Sequence, residues 1–290
     1  LLRHNCWAGY VLMSVARKIM MGVKSGPSIN PINQSLQCLV TAVNNTSSSN
    51  LTTRIYRLPT NSRTSTTVWS CSIWMKRDTA GSTGYEYGAS PIWAGRKTGF
   101  NTDESLFIPY QTDAGAFAHW GSNANWSEGE SGTSANGLVN DTDWHHFAYY
   151  RSGATMKFYV DGTLVLTSTS SRPTEALGFN ANNGIAITAG MRDTGAWNLN
   201  NTPTYDYYGF NGKIAEAIHV DGQALDASSF GATIGGSWKP IEYTGSFGNH
   251  GFHCKFASGA IGTDSSGNGN NFSLQNLTNS QVVTNDTPTT

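Results

Sequence analysis

The side chains able to do chemistry in this 290-residue chain are carboxylates, histidines and loop aromatics, and their spacing decides what each could do. Asp103 and Glu104 in TDESLF are adjacent, while Glu128 and Glu130 in SEGES would share a face only if that stretch were extended. The Gly- and Ser-rich surroundings of the second pair predict a solvated loop instead. His145 and His146 point to opposite faces of any strand, so they cannot chelate a metal together as neighbours on one face could. His250, His253 and Cys254 are a second tempting set, but their spacing does not put three ligands on one face, and zinc is not expected there. No G-x-S-x-G, H-E-x-x-H or phosphate-loop pattern occurs.

Two constellations could bind rather than react. In the Gly-rich segment 264–271, Asp264 supplies a carboxylate and Asn268 and Asn270 supply amide oxygens, the hard oxygen ligands that calcium takes. The competing reading is an Asx turn, in which the same side chains hold the loop's own backbone. The second constellation is aromatic. Trp120 and Trp126 lie in HWGSNANWSEGE, Trp197 in DTGAWNLNN, and Tyr205, Tyr207 and Tyr208 in PTYDYYGF. A sugar ring presents an apolar C–H face that sits well on an aromatic ring, with nearby Asn and Asp supplying hydrogen bonds. Each ring alone reads more readily as a packing residue. Their concentration in polar loops makes Trp120, Trp126, Trp197, Tyr205 and Tyr207 a candidate glycan platform.

These residues must be positioned by short strands. Only 13% of residues are charged, and Gly alone contributes 32, a composition of strands joined by many turns. A net charge of −1 offers no broad attraction to nucleic acid or anionic lipid. Cys6, Cys38, Cys71 and Cys254 are far apart in sequence and read as buried free thiols. No apolar run is long enough for a membrane span. The apolar patch after Arg3 is broken by Gly9 and followed by Arg17 and Lys18, unlike a secretory leader, and Met13 could be an initiator with residues 1–12 upstream of it. The sequons at Asn45, Asn50 and Asn125 matter only on a eukaryotic secretory route.

VWSCSIWMK alternates Val68, Ser70 and Ser72 with Trp69, Cys71 and Ile73, the period-2 pattern of a strand buried on one face. SPIWAG, SLFIPY, GAFAHW, HHFAYYR, TMKFYVDG, GTLVLTST, GIAITAGM, KIAEAIHVDG and GFHCKFA extend the series. Asp161-Gly162 predicts a two-residue hairpin of the primed type, with positive φ at both positions. ALDASSFGA reads as one short helix capped by Asp226. The fold class is therefore all-β, an antiparallel sandwich or jelly roll. Residues 1–34 read as an attachment tether, 35–245 as the jelly-roll domain, and 246–290 as an extension that packs on it or opens a further module.

WHHFAYY, KFYVDGTL and, some fifty residues on, FNGKIAEAIHVDGQAL resemble the concanavalin A-like jelly roll in its laminin G-like form. DGQALDASSFGA, SWKPIEYTGSFGNHGFHCKF and GTDSSGNGNNFSLQNL resemble segments of virion proteins of marine tailed phages. The resemblance implies a non-enzymatic fibre or decoration component on the virion surface, assembled with copies of itself or other virion proteins, with loops available to host-surface glycans and calcium at a rim as in many such domains. Glycoside hydrolases of this fold carry E-x-D-x-x-E on one strand, a spacing absent here. The alternative is a free-standing extracellular lectin-like protein, with a hydrolase behind it.

Overall fold

The computed structural model describes residues 26–38, 53–78, 93–95, 105–110, 116–120, 129–133, 141–169, 185–187, 189–190 and 208–290. The tether before Gly26, the sequons, Asp103, Glu104, Glu128, Trp126, Trp197, Tyr205 and Tyr207 lie outside the described residues. The strands are β1 (Ser35–Cys38), β2 (Arg54–Arg57), β3 (Val68–Arg77), β4 (Trp93–Gly95), β5 (Ser105–Tyr110), β6 (Ala116–Trp120), β7 (Gly129–Thr133), β8 (His145–Ser152), β9 (Thr155–Val160) and β10 (Thr163–Ser168). Then come β11 (Ile185–Ile187), β12 (Ala189–Gly190), β13 (Tyr208–Gly209), β14 (Gly212–Asp221), β15 (Gly231–Ile234), β16 (Ser237–Pro240), β17 (Phe252–Cys254), β18 (Ser273–Gln275) and β19 (Val282–Val283). ALDASSFGA forms a single 3₁₀ turn, Ala227–Ser229, whose cap Asp226 accepts from the Ser228 amide at 3.0 Å.

Antiparallel pairing builds two large sheets. The first runs β10-β9-β8-β3-β14-β1-β19, with β17 also paired to β14, and the second runs β18-β2-β11-β4-β5-β6-β7. The hairpin expected at Asp161-Gly162 is present: Val160 pairs with Thr163, and the two turn residues have φ of 46° and 79°. Alternation then sorts the side chains. Trp69, Cys71, Ile73 and Met75 of β3 and Phe147 and Tyr149 of β8 face inward onto Ile55 of β2 and Ile185 and Ile187 of β11. Tyr149 stacks on Phe158 at 5.3 Å and meets Trp69 edge-on at 5.4 Å, the two arrangements aromatic quadrupoles favour. Burying each such ring contributes about 1.5–3 kcal/mol. Cys38, Cys71 and Cys254 are free and buried in this core, where desolvation pushes the Cys71 and Cys254 thiols up and keeps them protonated.

The structure corrects the one-sided reading of VWSCSIWMK. Ser70, Ser72 and Trp74 on the outer face of β3 are buried too, because residues 223–247 fold back as a third layer. Leu225, Ala227, Phe230, Trp238, Tyr243 and Phe247 pack on Ala148, Ile218 and Val220. The Ser70 hydroxyl donates to Gln223 O at 2.5 Å and accepts from Leu225 N at 2.7 Å. Polar residues on that face signal satisfied hydrogen bonds under a lid, which alternation alone cannot distinguish from contact with water. A second correction concerns SEGES: Gly129–Thr133 forms the edge strand β7, with Glu130 opposite His119. Ladder bonds to β6 override the weak strand propensity of its Gly and Ser.

The chain after residue 250 is woven into both sheets. β17 pairs with β14, β18 with β2, and β19 with β1. Asp286 ties this end down, accepting from Lys76 Nζ at 2.9 Å and Trp144 Nε1 at 2.8 Å and pairing with Lys213 at 3.2 Å. Burial would raise its pKa, but these donors outweigh that and lower it.

Candidate functional site

The partner of β14 changes midway along its length. Ile214 pairs with Leu36 of β1, whereas Ala217 pairs with Cys254 of β17. At the changeover the register with β3 slips between Ala215 and Ile218, and Glu216 takes φ of 51°. A bulge bends the strand and re-aims the bulged side chain. A positive φ at a non-glycine costs of order 1–3 kcal/mol, so its surroundings must hold it there. They do so through its carboxylate: Oε1 accepts from Asn30 Nδ2 at 2.8 Å and bonds His253 Nε2 at 3.0 Å. A carboxylate only accepts, so His253 carries its proton on Nε2.

Between residues 30–34, approaching β1, and residues 255–257, leaving β17, lies a cleft of about 220 Å³ with Glu216 in its wall and Lys255 and Asn33 among its lining. Glu216 is 6% exposed and Lys255 is exposed. Asp264 fixes the opposite side of β17, accepting the His253 amide at 2.9 Å, so the backbone that carries His253 is held from both directions.

The two Val-Asp-Gly motifs are structural staples. Asp161 accepts the His146 amide at 2.8 Å and bonds His145 Nδ1 at 2.7 Å. Asp221 accepts three backbone amides, from Thr64 at 2.6 Å, Ser65 at 3.1 Å and His250 at 3.1 Å. A carboxylate buried in this way is satisfied by N–H donors in place of water. His145 also meets Asp141 at 2.9 Å; burial disfavours its charged form, but the two carboxylates outweigh burial and raise its pKa to about 9.

The sequence-derived calcium set is adjacent in space. Asp264 Oδ1 accepts from the His253 and Ser266 amides and Oδ2 from the Ser266 hydroxyl and the Asn270 amide, all at 2.8–2.9 Å. The Asn268 amide donates to Gly248 O and Gly251 O, and that of Asn270 to Asn249 O and Gly251 O. The Ser266 contact is the Asx turn weighed above. The loop also covers Arg57, which donates to Asn270 O at 3.2 Å and lies 5.8 Å from the Phe272 ring; burial lowers its pKa to about 10, and it stays cationic.

Of the aromatic set, the backbone of Trp120 closes β6, where it pairs with Leu106 and Gly129. The registers place this end of the second sheet level with Ala186, while Gly190 pairs with Tyr208 in a separate two-stranded sheet. The cleft residues Glu216, Asn30 and Lys255 went unmarked in the sequence, where Glu216 is one polar residue inside a strand pattern and its partners are 186 and 37 residues distant.

Two stacked antiparallel sheets with polar clefts and loops at their margins define a lectin-type β-sandwich. The chain belongs to the concanavalin A-like lectin/glucanases superfamily, whose family model matches residues 51–217. No curated protein matches it. Among solved structures it is similar to a Bacteroides ovatus protein provisionally described as carbohydrate binding, at 12% identity over 89% of this chain and 62% of that one, with a TM-score of 0.51. It is also similar to a heptameric pentraxin from Limulus polyphemus, at 13% identity over 68% and 80% of the two chains with a TM-score of 0.43. A pair of mouse laminin alpha1 domains follows at 11% identity over 81% and 50%, with a TM-score of 0.41. At these identities it is the fold that is shared.

Proposed function

We propose that this chain is a non-enzymatic carbohydrate-binding module on the surface of a tailed-phage virion, as a fibre or decoration component. Its sandwich is the rigid scaffold, and its strand-end loops face host glycans. The observation that carries the recognition half is the lectin-type sandwich whose first sheet is covered on its outer face by residues 223–247, which leaves margins and loops as the contact surfaces. The shared fold of the Bacteroides ovatus protein supports the same reading. Binding is favoured over hydrolysis because Glu216 is the one carboxylate lining the described cleft, and glycosidases need two, about 5–9.5 Å apart. The virion half rests on the three C-terminal motifs, which coincide with the third layer and the strands that lock the sandwich.

The test is a glycan array with the full chain and with Trp126→Ala and Trp197→Ala, followed by cryo-electron microscopy of particles carrying the chain. Saturable binding that weakens in the two variants, with the domain in a symmetric assembly, is the expected result. Release of reducing ends from polysaccharide would replace this reading with a hydrolase. Binding by a chain that never joins particles would leave a free-standing lectin.

A further inference from the structure

We infer that the cleft beside Glu216 is a site for one neutral polyhydroxyl ring, the terminal sugar of a glycan, an inference that rests on the carbohydrate-binding reading above. The notch exists because two different strands share one side of β14. β1 ends its pairing at Ile214, β17 begins at Ala217, and neither covers Glu216. The bulge turns the Glu216 carboxylate toward that gap. Oε1 is taken by Asn30 and His253, and Oε2 has no hydrogen-bond partner among the described residues, although the side chain is only 7% exposed. A carboxylate oxygen held at a cleft wall without a donor is an acceptor in search of one.

The lining selects the donor. Glu216 would repel an anion, and the Lys255 ammonium at the same cleft disfavours a cation. A sugar hydroxyl suits both, since it donates to the carboxylate and a neighbouring hydroxyl accepts from the ammonium. Ile32 and Ala257 add an apolar wall for C–H groups. At about 220 Å³ the cleft is smaller than the roughly 300–1,000 Å³ of sites for drug-sized ligands, so it holds one ring and not a chain. Strain at Glu216, a buried hydrogen bond to His253 behind it and an open oxygen in front are the preorganised features of a small polar site.

The experiment is ligand-observed and protein-observed NMR titration of the full chain with free glucose, galactose and mannose. It is repeated for Glu216→Gln and Lys255→Met, with thermal melting of each variant as the folding control. The expected result is saturable binding of at least one hexose with shifts at Asn33, His253 and Lys255, weakened about 10-fold or more by Glu216→Gln. Lys255→Met should weaken it about 3-fold or more. If Glu216→Gln does not fold, Lys255→Met decides, because Lys255 is exposed and its loss costs the fold little. Hexose binding unaffected by either cleft variant overturns this site and leaves the carbohydrate reading standing. Binding of glycans on an array without any free hexose binding does the same. No carbohydrate binding in either format overturns both.

Discussion

Trp238 donates its indole N–H to Nδ1 of His146 at 3.0 Å, with the two rings stacked 6.0 Å apart. An indole nitrogen can only donate, so Nδ1 carries no proton, and the imidazole proton sits on Nε2, directed at the Ser72 hydroxyl 2.8 Å away. This bond joins those of Ser70 in fastening the third layer to the first sheet, and it requires a neutral histidine.

Acid should therefore loosen that layer. Burial lowers the His146 pKa from its usual 6.5 to about 4, and that of His219 to about 3. Both are depressed in the folded protein, so the unfolded chain binds protons first as pH falls. The stability they contribute is fully present above 6.5 and is lost progressively as pH drops through 4. His146 alone accounts for roughly 3 kcal/mol. Urea midpoints measured from pH 7 to pH 4 should fall steeply, and His146→Gln should flatten part of that slope. A flat profile in the parent protein contradicts the assignment.

His145, next along the strand, should act in the opposite direction. Its pKa is raised to about 9, so its contribution is complete below 6.5 and disappears as pH rises through 9. The full effect is at most about 3 kcal/mol. Asp161→Asn should shrink this alkaline loss by bringing the imidazole pKa back toward 6.5, read directly from the histidine ring protons by NMR titration.

Gly162 should tolerate no side chain. Its φ is 79°, and an added Cβ would stand 2.4 Å from the Trp238 ring. Gly162→Ala combines left-handed strain with overpacking, a loss of about 2–4 kcal/mol. Gly153 has a similar φ of 62° but open space around it, so Gly153→Ala should cost only the conformational part, about 1 kcal/mol. Denaturant midpoints of the two variants test the difference.

Asp264→Ala should be more damaging than its place in a surface-rich loop suggests. It leaves the His253, Ser266 and Asn270 amides without their acceptor, a loss of about 2–5 kcal/mol. A cation at this loop would have to displace those same donors. Melting temperatures with millimolar calcium and with chelator should therefore agree within about 1 °C, and a calcium-dependent rise would show that the loop reorganises around the ion.

The strand inventory was legible because its signals are local. Period-2 alternation in VWSCSIWMK, the Asp-Gly turn and the Asp226 cap each act within a few residues, and each appears in the structure. The wide spacing of the cysteines likewise pointed to buried free thiols, which Cys38, Cys71 and Cys254 are. The short strands after Phe230 were less visible: SWKP and SLQ have little pattern of their own and become strands only where β15 and β2 offer hydrogen-bond partners. The aromatic platform for glycans is a set of residue types in polar context, and all of its members but Trp120 lie outside the described residues.

What the sequence determined by itself is the class of fold, since alternating apolar residues punctuated by turn formers have few solutions other than stacked antiparallel sheets. Which faces are covered, and where a site can form, was decided in three dimensions. Trp238 covers His146 from 92 residues away, and Glu216 meets Asn30 across 186. Side-chain direction is a local property of the backbone, but burial depends on which distant segment returns to cover it. Charge, strain and cleft at Glu216 exist only because β1 and β17 happen to meet at one bulge.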